Sequence, residues 1–202
     1  MAQPIPKPLY TIDEYLAFER KSEERHIYFD GELFAMAGES DEHGDISVNL
    51  VVSLGSQLKG KPCRVRTKDT KVRSGPTPLP GQSTRGLFSY PDIVVVCDDP
   101  EYHDAHTDII LNPTAIVEVL SPSTEAFDRG SKFTRYQTCN PTLRDYLLVS
   151  QDQPQIEQFT RQPDGTWSYQ LYVGLDASVA IPSIGCVLKL SEVYDRVVFA
   201  QA

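Results

Sequence analysis

Two carboxylates stand where a folded chain normally keeps charge out. Asp92 follows Pro91 at the head of the run DIVVVC, and Glu118 interrupts IVEVL, both segments otherwise apolar on both faces. An ionised carboxylate in such a strand is costly unless it is paired or holds a cation. Asp128, Lys132 and Tyr136 follow at i, i+4 and i+8, on one face of a helix that begins a short turn after the Glu118 strand. That placement can carry Lys132 back toward Glu118. Two hard carboxylate oxygens and the backbone carbonyl of Val119 suit Mg2+ or Mn2+ with retained waters, and a nearby lysine can assist the attacking water or stabilise phosphoryl charge. The plainer alternative is structural: buried ion pairs for the carboxylates, and a surface pair with Asp128 for Lys132.

Glu32 and His43 are further candidates for the same catalytic set. Glu32 lies just past a turn and is either an acidic site residue or a solvent-facing strand residue. His43, at the start of a long helix, can orient a water or contact a phosphate, or can be an ordinary helix-terminal histidine. The pair His103 and His106, with Asp104 and Asp108 nearby, is a weak transition-metal pattern in a polar loop. Cys63, Cys97, Cys139 and Cys186 form no CxxC pair, which predicts reduced structural thiols, with neither a zinc knuckle nor a disulfide framework.

The elements that must position these residues can be read from patterning. The 202 residues predict an extended tail over 1–10, held open by Pro4, Pro6 and Pro8, and a single domain over 11–202. Thr11 and Glu14 form a capping box for a helix to about Arg20. A hairpin over 26–29 and 32–37 turns at Asp30-Gly31. Ser40 caps a helix over 41–58 whose apolar stripe is Ile46, Leu50, Leu54 and Leu58. Residues 63–73 read as one or two strands and 76–86 as a loop. Interior strands are expected at 92–97, 114–120 and 146–150, a helix at 128–139, a hairpin at 156–161 and 167–173, and a last helical turn capped by Ser191. The class is α/β, of the α+β kind, with a mixed sheet flanked by helices. No apolar run is long enough for a membrane span and the opening lacks a signal-peptide core, which predicts a soluble, cytoplasmic chain.

The net charge of −9 argues against a broadly basic nucleic-acid coat. Its distribution is uneven, however. Residues 59–73 hold seven basic groups against Asp69 alone, and Lys61, Arg64, Arg66, Lys68, Lys71 and Arg73 are candidate nucleic-acid-binding residues there. The alternative is a solvated sheet edge protected by charge.

DGEL at 30–33, EHG at 42–44, YPDIVVVC at 90–97, NPTAIVEVLSPST at 112–124, then Asp128, Lys132, Tyr136 and LRDYLLV at 143–149 together resemble the Uma-type restriction-endonuclease family, within the PD-(D/E)XK nuclease superfamily. The resemblance runs from about Thr11 to Val198. It implies a restriction-endonuclease-like core with extra N- and C-terminal β-hairpins, and Mg2+- or Mn2+-dependent hydrolysis of DNA phosphodiesters. Asp92 then matches the aspartate after proline and Glu118 the acidic residue of the second half. Leu120 occupies the position where the superfamily has lysine, and the resemblance moves that role to Lys132. The expected function is a metal-dependent DNA endonuclease, for which a homodimer suits cutting of both strands. The alternatives are an inactive nucleic-acid-binding or interaction module on the same fold, and a hydrolase of another phosphate ester.

Overall fold

The computed structural model describes residues 9–36 and 38–199. The expected prolines of the tail, Pro4, Pro6 and Pro8, and the expected strand end at Ala37 lie outside the described residues. Helix α1 (Ile12–Glu19) starts where Thr11 and Glu14 close the capping box, each side chain bonding the other's backbone N–H. Strands β1 (His26–Phe29) and β2 (Glu32–Ala35) turn through Asp30 and Gly31, whose φ of 46° and 94° are the left-handed pair a tight hairpin needs. Helix α2 (Asp41–Leu58) is capped by Ser40 and buries Ile46, Leu50, Leu54 and Leu58, the predicted stripe.

Then come β3 (Arg64–Thr67), β4 (Lys71–Ser74), β5 (Leu87–Ser89), β6 (Ile93–Val96), β7 (Ile109–Ile110) and β8 (Ala115–Val119). A single helical turn α3 (Glu125–Phe127) leads into a π-helical turn (Asp128–Lys132) and α4 (Phe133–Cys139). Strands β9 (Asp145–Val149), β10 (Gln155–Arg161), β11 (Trp167–Val173), β12 (Ser178–Ile181) and β13 (Cys186–Lys189) close with α5 (Leu190–Val193).

Three sheets result. A six-stranded mixed sheet has the order β11-β10-β9-β8-β6-β3, with β8 and β9 parallel across the α3–α4 crossover and the other pairs antiparallel. A five-stranded sheet has the order β2-β1-β5-β4-β7, and β12-β13 is a separate hairpin. One face of the large sheet buries Ile93, Val95, Val117 and Leu147 against α2, β12-β13 and α5. Its other face buries Val94, Ile116 and Leu148 against α4 and the five-stranded sheet. Strands β6, β8 and β9 are therefore covered on both sides, which explains their unbroken apolar runs. Helix α1 packs on the far side of the smaller sheet. Among the described residues no helix is long and apolar enough to cross a membrane.

Several expectations need correction. The basic segment forms two strands, as the pattern allowed, but they do not lie together: the turn at Thr67–Thr70 sends β3 to the edge of the large sheet and β4 into the interior of the smaller one. Strands β5, β7, β12 and β13 were not legible as strands. The helix expected over 128–139 begins with a π-turn. Ser191 lies inside α5, whose N-cap is Lys189. The thiols are not all free, because the antiparallel register Arg64↔Val96, continued by one residue, sets Cys63 opposite Cys97 at a Cα separation of 3.8 Å, and the two form a disulfide. Cys139 and Cys186 are free, as expected.

Candidate active site

Register builds the first half of the site. Strands β6 and β8 pair Ile93↔Val117, so Asp92, one residue before β6, stands across from Glu118. Directly opposed residues of an antiparallel pair share a face, which sets two carboxylates side by side at the end of the sheet. Asp92 is anchored on both oxygens: Oδ2 accepts the Val119 N–H at 2.7 Å, and Oδ1 lies 2.9 Å from His43 Nε2. His43 reaches it from the first turn of α2, where the Ser40 cap fixes the backbone by accepting the His43 N–H. Burial lowers the affinity of the imidazole for its proton, but the hydrogen bond and charge of Asp92 outweigh it and raise the His43 pKa.

The crossover supplies the second half. Lys132 Nζ lies 2.7 Å from Glu118 Oε1 and 2.8 Å from Asp128 Oδ1, and all three side chains are at most 4% exposed. Tyr136 Oη donates to Glu118 Oε1 at 3.4 Å and is itself 2.8 Å from Ser89 Oγ, while Tyr146 Oη donates to the Asp128 carbonyl at 3.0 Å. The π-turn spans Asp128 to Lys132, so the backbone widens where Lys132 must meet both Asp128 of its own turn and Glu118 of the strand. Burial pushes the Glu118 carboxyl up to about 8; Lys132 opposes this, while Asp128 and Asp92 add to it. Burial pulls Lys132 down, but Glu118 and Asp128 outweigh it and hold the ammonium well above its ordinary range.

Asp92, Glu118, Lys132 and His43 are thus gathered at one end of the large sheet, joined by hydrogen bonds through Val119, Asp128 and Tyr136. Asp128 is the member that sequence reasoning undervalued. Its spacing to Lys132 reads as a surface helix pair, yet it is 2% exposed. The signal available was that an aspartate, a lysine and a tyrosine at helical spacing all share the face turned to the strand. Glu32 sits half-buried on the edge strand β2 of the other sheet, and none of the hydrogen bonds or ion pairs of the cluster involves it.

The basic candidates divide. Lys61 and Arg64 are exposed, Arg66 and Lys68 half-buried, and Lys68 pairs with Glu39. Lys71 is buried against Asp108 at 2.8 Å and the Tyr90 ring, and Arg73 is buried in β4. His106 is turned to Asp104, and Asp104 and Asp108 are held by Arg20. Among the described residues no three His, Cys, Asp or Glu side chains converge as a metal cage, so the cluster offers an ion at most two protein carboxylates.

Comparison with known proteins places the chain in a family. A solved structure described as a putative nuclease belonging to DUF820, from Anabaena variabilis ATCC 29413, matches 94% of this chain and 99% of its own with a TM-score of 0.73 at 17% identity, which shows the fold. Two curated proteins of Synechocystis sp. (strain ATCC 27184 / PCC 6803 / Kazusa) are similar in sequence. The uncharacterized protein slr1290 is 37% identical over 194 residues, 96% of each chain, and the uncharacterized protein sll1609 is 28% identical over 171 residues, 85% of this chain and 92% of its own. Over residues 12–191 the sequence matches Uma2, described as "Putative restriction endonuclease", and the chain belongs to that family.

Proposed function

We propose that the protein is a divalent-metal-dependent endonuclease acting on DNA phosphodiesters. The observation that carries this reading is the placement of Lys132 Nζ at 2.7 Å from Glu118, with Asp92 across the strand pair from that same glutamate. Leu120, two residues after Glu118, cannot polarise a water, and the lysine that can comes from the crossover helix. The donor set fits Mg2+ or Mn2+: two hard carboxylates, too few for an all-protein cage and suited to an ion that keeps several waters.

Asp92 and Glu118, with the Val119 carbonyl beside them, would hold the ion, which when bound supplies Lewis-acid stabilisation of the phosphoryl oxygens and lowers the pKa of a water. His43 and the Val119 N–H hold Asp92 in one rotamer. Lys132 carries a fixed proton beside the carboxylates and is set to orient a water or to stabilise charge building on a phosphate oxygen. Asp128 and Tyr136 keep Lys132 and Glu118 aligned. Arg64 and Arg66, on the edge strand β3, with Lys61 and Lys68 near them, are the basic groups left to follow a phosphate backbone, since Lys71 and Arg73 are buried.

The test is incubation of purified protein with plasmid, linear duplex and single-stranded DNA, with and without Mg2+ or Mn2+, beside Asp92→Ala, Glu118→Ala and Lys132→Ala. Metal-dependent cleavage lost in all three variants is expected. Cleavage equal in every variant overturns the assignment, binding without cleavage points to an inactive module, and turnover confined to small phosphate esters points to another hydrolase. The salt dependence of binding should be shallower by up to about two counterions in Arg64→Ala/Arg66→Ala.

A further inference from the structure

The two edges of the six-stranded sheet differ in their defences. Strand β3 carries Arg64 and Arg66, charges that repel a second copy of the same edge. Strand β11, at the other end, reads WSYQLYV: seven residues with no charge and no proline. Tyr169, Leu171 and Val173 on one of its faces are 55%, 46% and 60% exposed. The backbone of β11 is half used. The Gly174 N–H bonds to Pro154 O and the Gln162 N–H to Thr166 O, so even-numbered residues turn their backbone groups toward β10. Trp167, Tyr169, Leu171 and Val173 therefore aim N–H and C=O outward, where no strand pairs with them among the described residues.

We propose that two copies of the chain associate through β11, antiparallel and edge to edge, about a two-fold axis at Gln170. The segment is self-complementary in that register. Tyr169 meets Leu171 of the second copy and Trp167 meets Val173, apolar against apolar, and Ser168 meets Tyr172 on the other face. The outward-facing groups are the odd residues, and Tyr169–Leu171 and Trp167–Val173 with their two symmetry mates make four odd-to-odd pairings, so about eight inter-chain backbone hydrogen bonds close with no shift of register. Although each chain carries −9, β11 is a charge-free strip along which two copies meet with no like charges directly opposed. A seven-residue strand pairing is a small contact, so a reversible, concentration-dependent association is expected.

The consequence deepens the proposed activity and rests on that reading. Strand β8, which carries Glu118, is separated from its symmetry mate by seven strand spacings, about 34 Å at roughly 4.8 Å each. One turn of duplex DNA is also about 34 Å. Because the axis is perpendicular to the sheet, the two copies of α4 lie on the same side of the joined sheet. Two sites so spaced can address two phosphates about one helical turn apart.

Sedimentation or light scattering over a concentration series tests the association. The full chain should move reversibly from monomer to dimer, and Tyr169→Lys/Leu171→Lys, which sets lysine against lysine, should remain monomeric with an unchanged circular dichroism spectrum. Gln170→Cys should cross-link to itself under mild oxidation, because a non-hydrogen-bonded pair across the axis sits at a Cα separation of about 4.5 Å, within disulfide reach. Ser168→Cys, displaced from its mate by four residues, should not. A chain monomeric at every concentration, a dimer that survives the double lysine variant, or equal cross-linking at 168 and 170 overturns the proposal. Cleavage by a monomer leaves the nuclease reading intact, and a dimer that cleaves nothing leaves the interface intact, so the two can fail separately.

Discussion

Replacing Lys132 with methionine removes the ammonium that contacts Glu118 and Asp128, whose side chains are 4% and 3% exposed. Methionine retains the length and apolar body of the side chain, so cavity formation is a minor part of the effect. Two buried carboxylates would then face each other, with Asp92 beside them across the strand pair. Removing one partner of a buried pair costs about 3–5 kcal/mol, against about 5–15 kcal/mol of total stability for a domain. With a urea slope of about 2 kcal/mol/M, the midpoint should drop by about 2 M. The loss should shrink as pH falls. The Glu118 carboxyl already holds its proton up to about 8, and without Lys132 it holds it more tightly, so neutralisation replaces the missing cation in acid. Urea unfolding followed by circular dichroism at pH 8 and pH 5 checks both statements. Glu118→Gln introduced beside Lys132→Met should recover part of the loss, a coupling that single variants cannot mimic. A loss below about 1 kcal/mol at pH 8, the value of an exposed pair, would refute the claim that this lysine neutralises buried charge.

Two further outcomes concern stability. Because the folded pKa of Glu118 is raised to about 8 from 4.5, its contribution is fully present below about 4.5 and is lost as pH rises through 8; the wild type should lose stability across that window, and Glu118→Gln should flatten this part of the profile. The Cys63–Cys97 disulfide closes a sequence separation of 34, worth about 4 kcal/mol by chain entropy, so a dithiol reductant should lower the Tm of the wild type and leave that of Cys63→Ser unchanged.

How much of this could be read from sequence depended on whether the signal was local. The capping box of α1, the Asp30-Gly31 turn and the stripe of α2 are decided within a few residues, and each was legible. Asp92 and Glu118 stood out because each breaks an apolar run. The disulfide, the separation of β3 from β4 and the burial of Lys71 and Arg73 depend on which distant strand lies alongside, and no spacing along the chain encodes that. Strand β7 is two residues long, too short for any alternation to show. Asp128 was visible but ambiguous, since the spacing that makes a surface pair on an exposed helix makes a buried clamp when the same face meets a strand.

The π-turn at Asp128–Lys132 makes chain length across five residues a determinant of how Lys132 meets Glu118. Deleting one residue there would close the wide turn to an α-helical one and change the Asp128–Lys132 spacing from i, i+4 to i, i+3. The two would still share a face, but the approach of Lys132 to Glu118 that the wide turn sets would change. Within this family a relative that keeps every residue of the cluster but is one residue shorter across this turn should be scored as impaired, and a relative with a different residue at Gly130, a position with open space around a Cβ, should not.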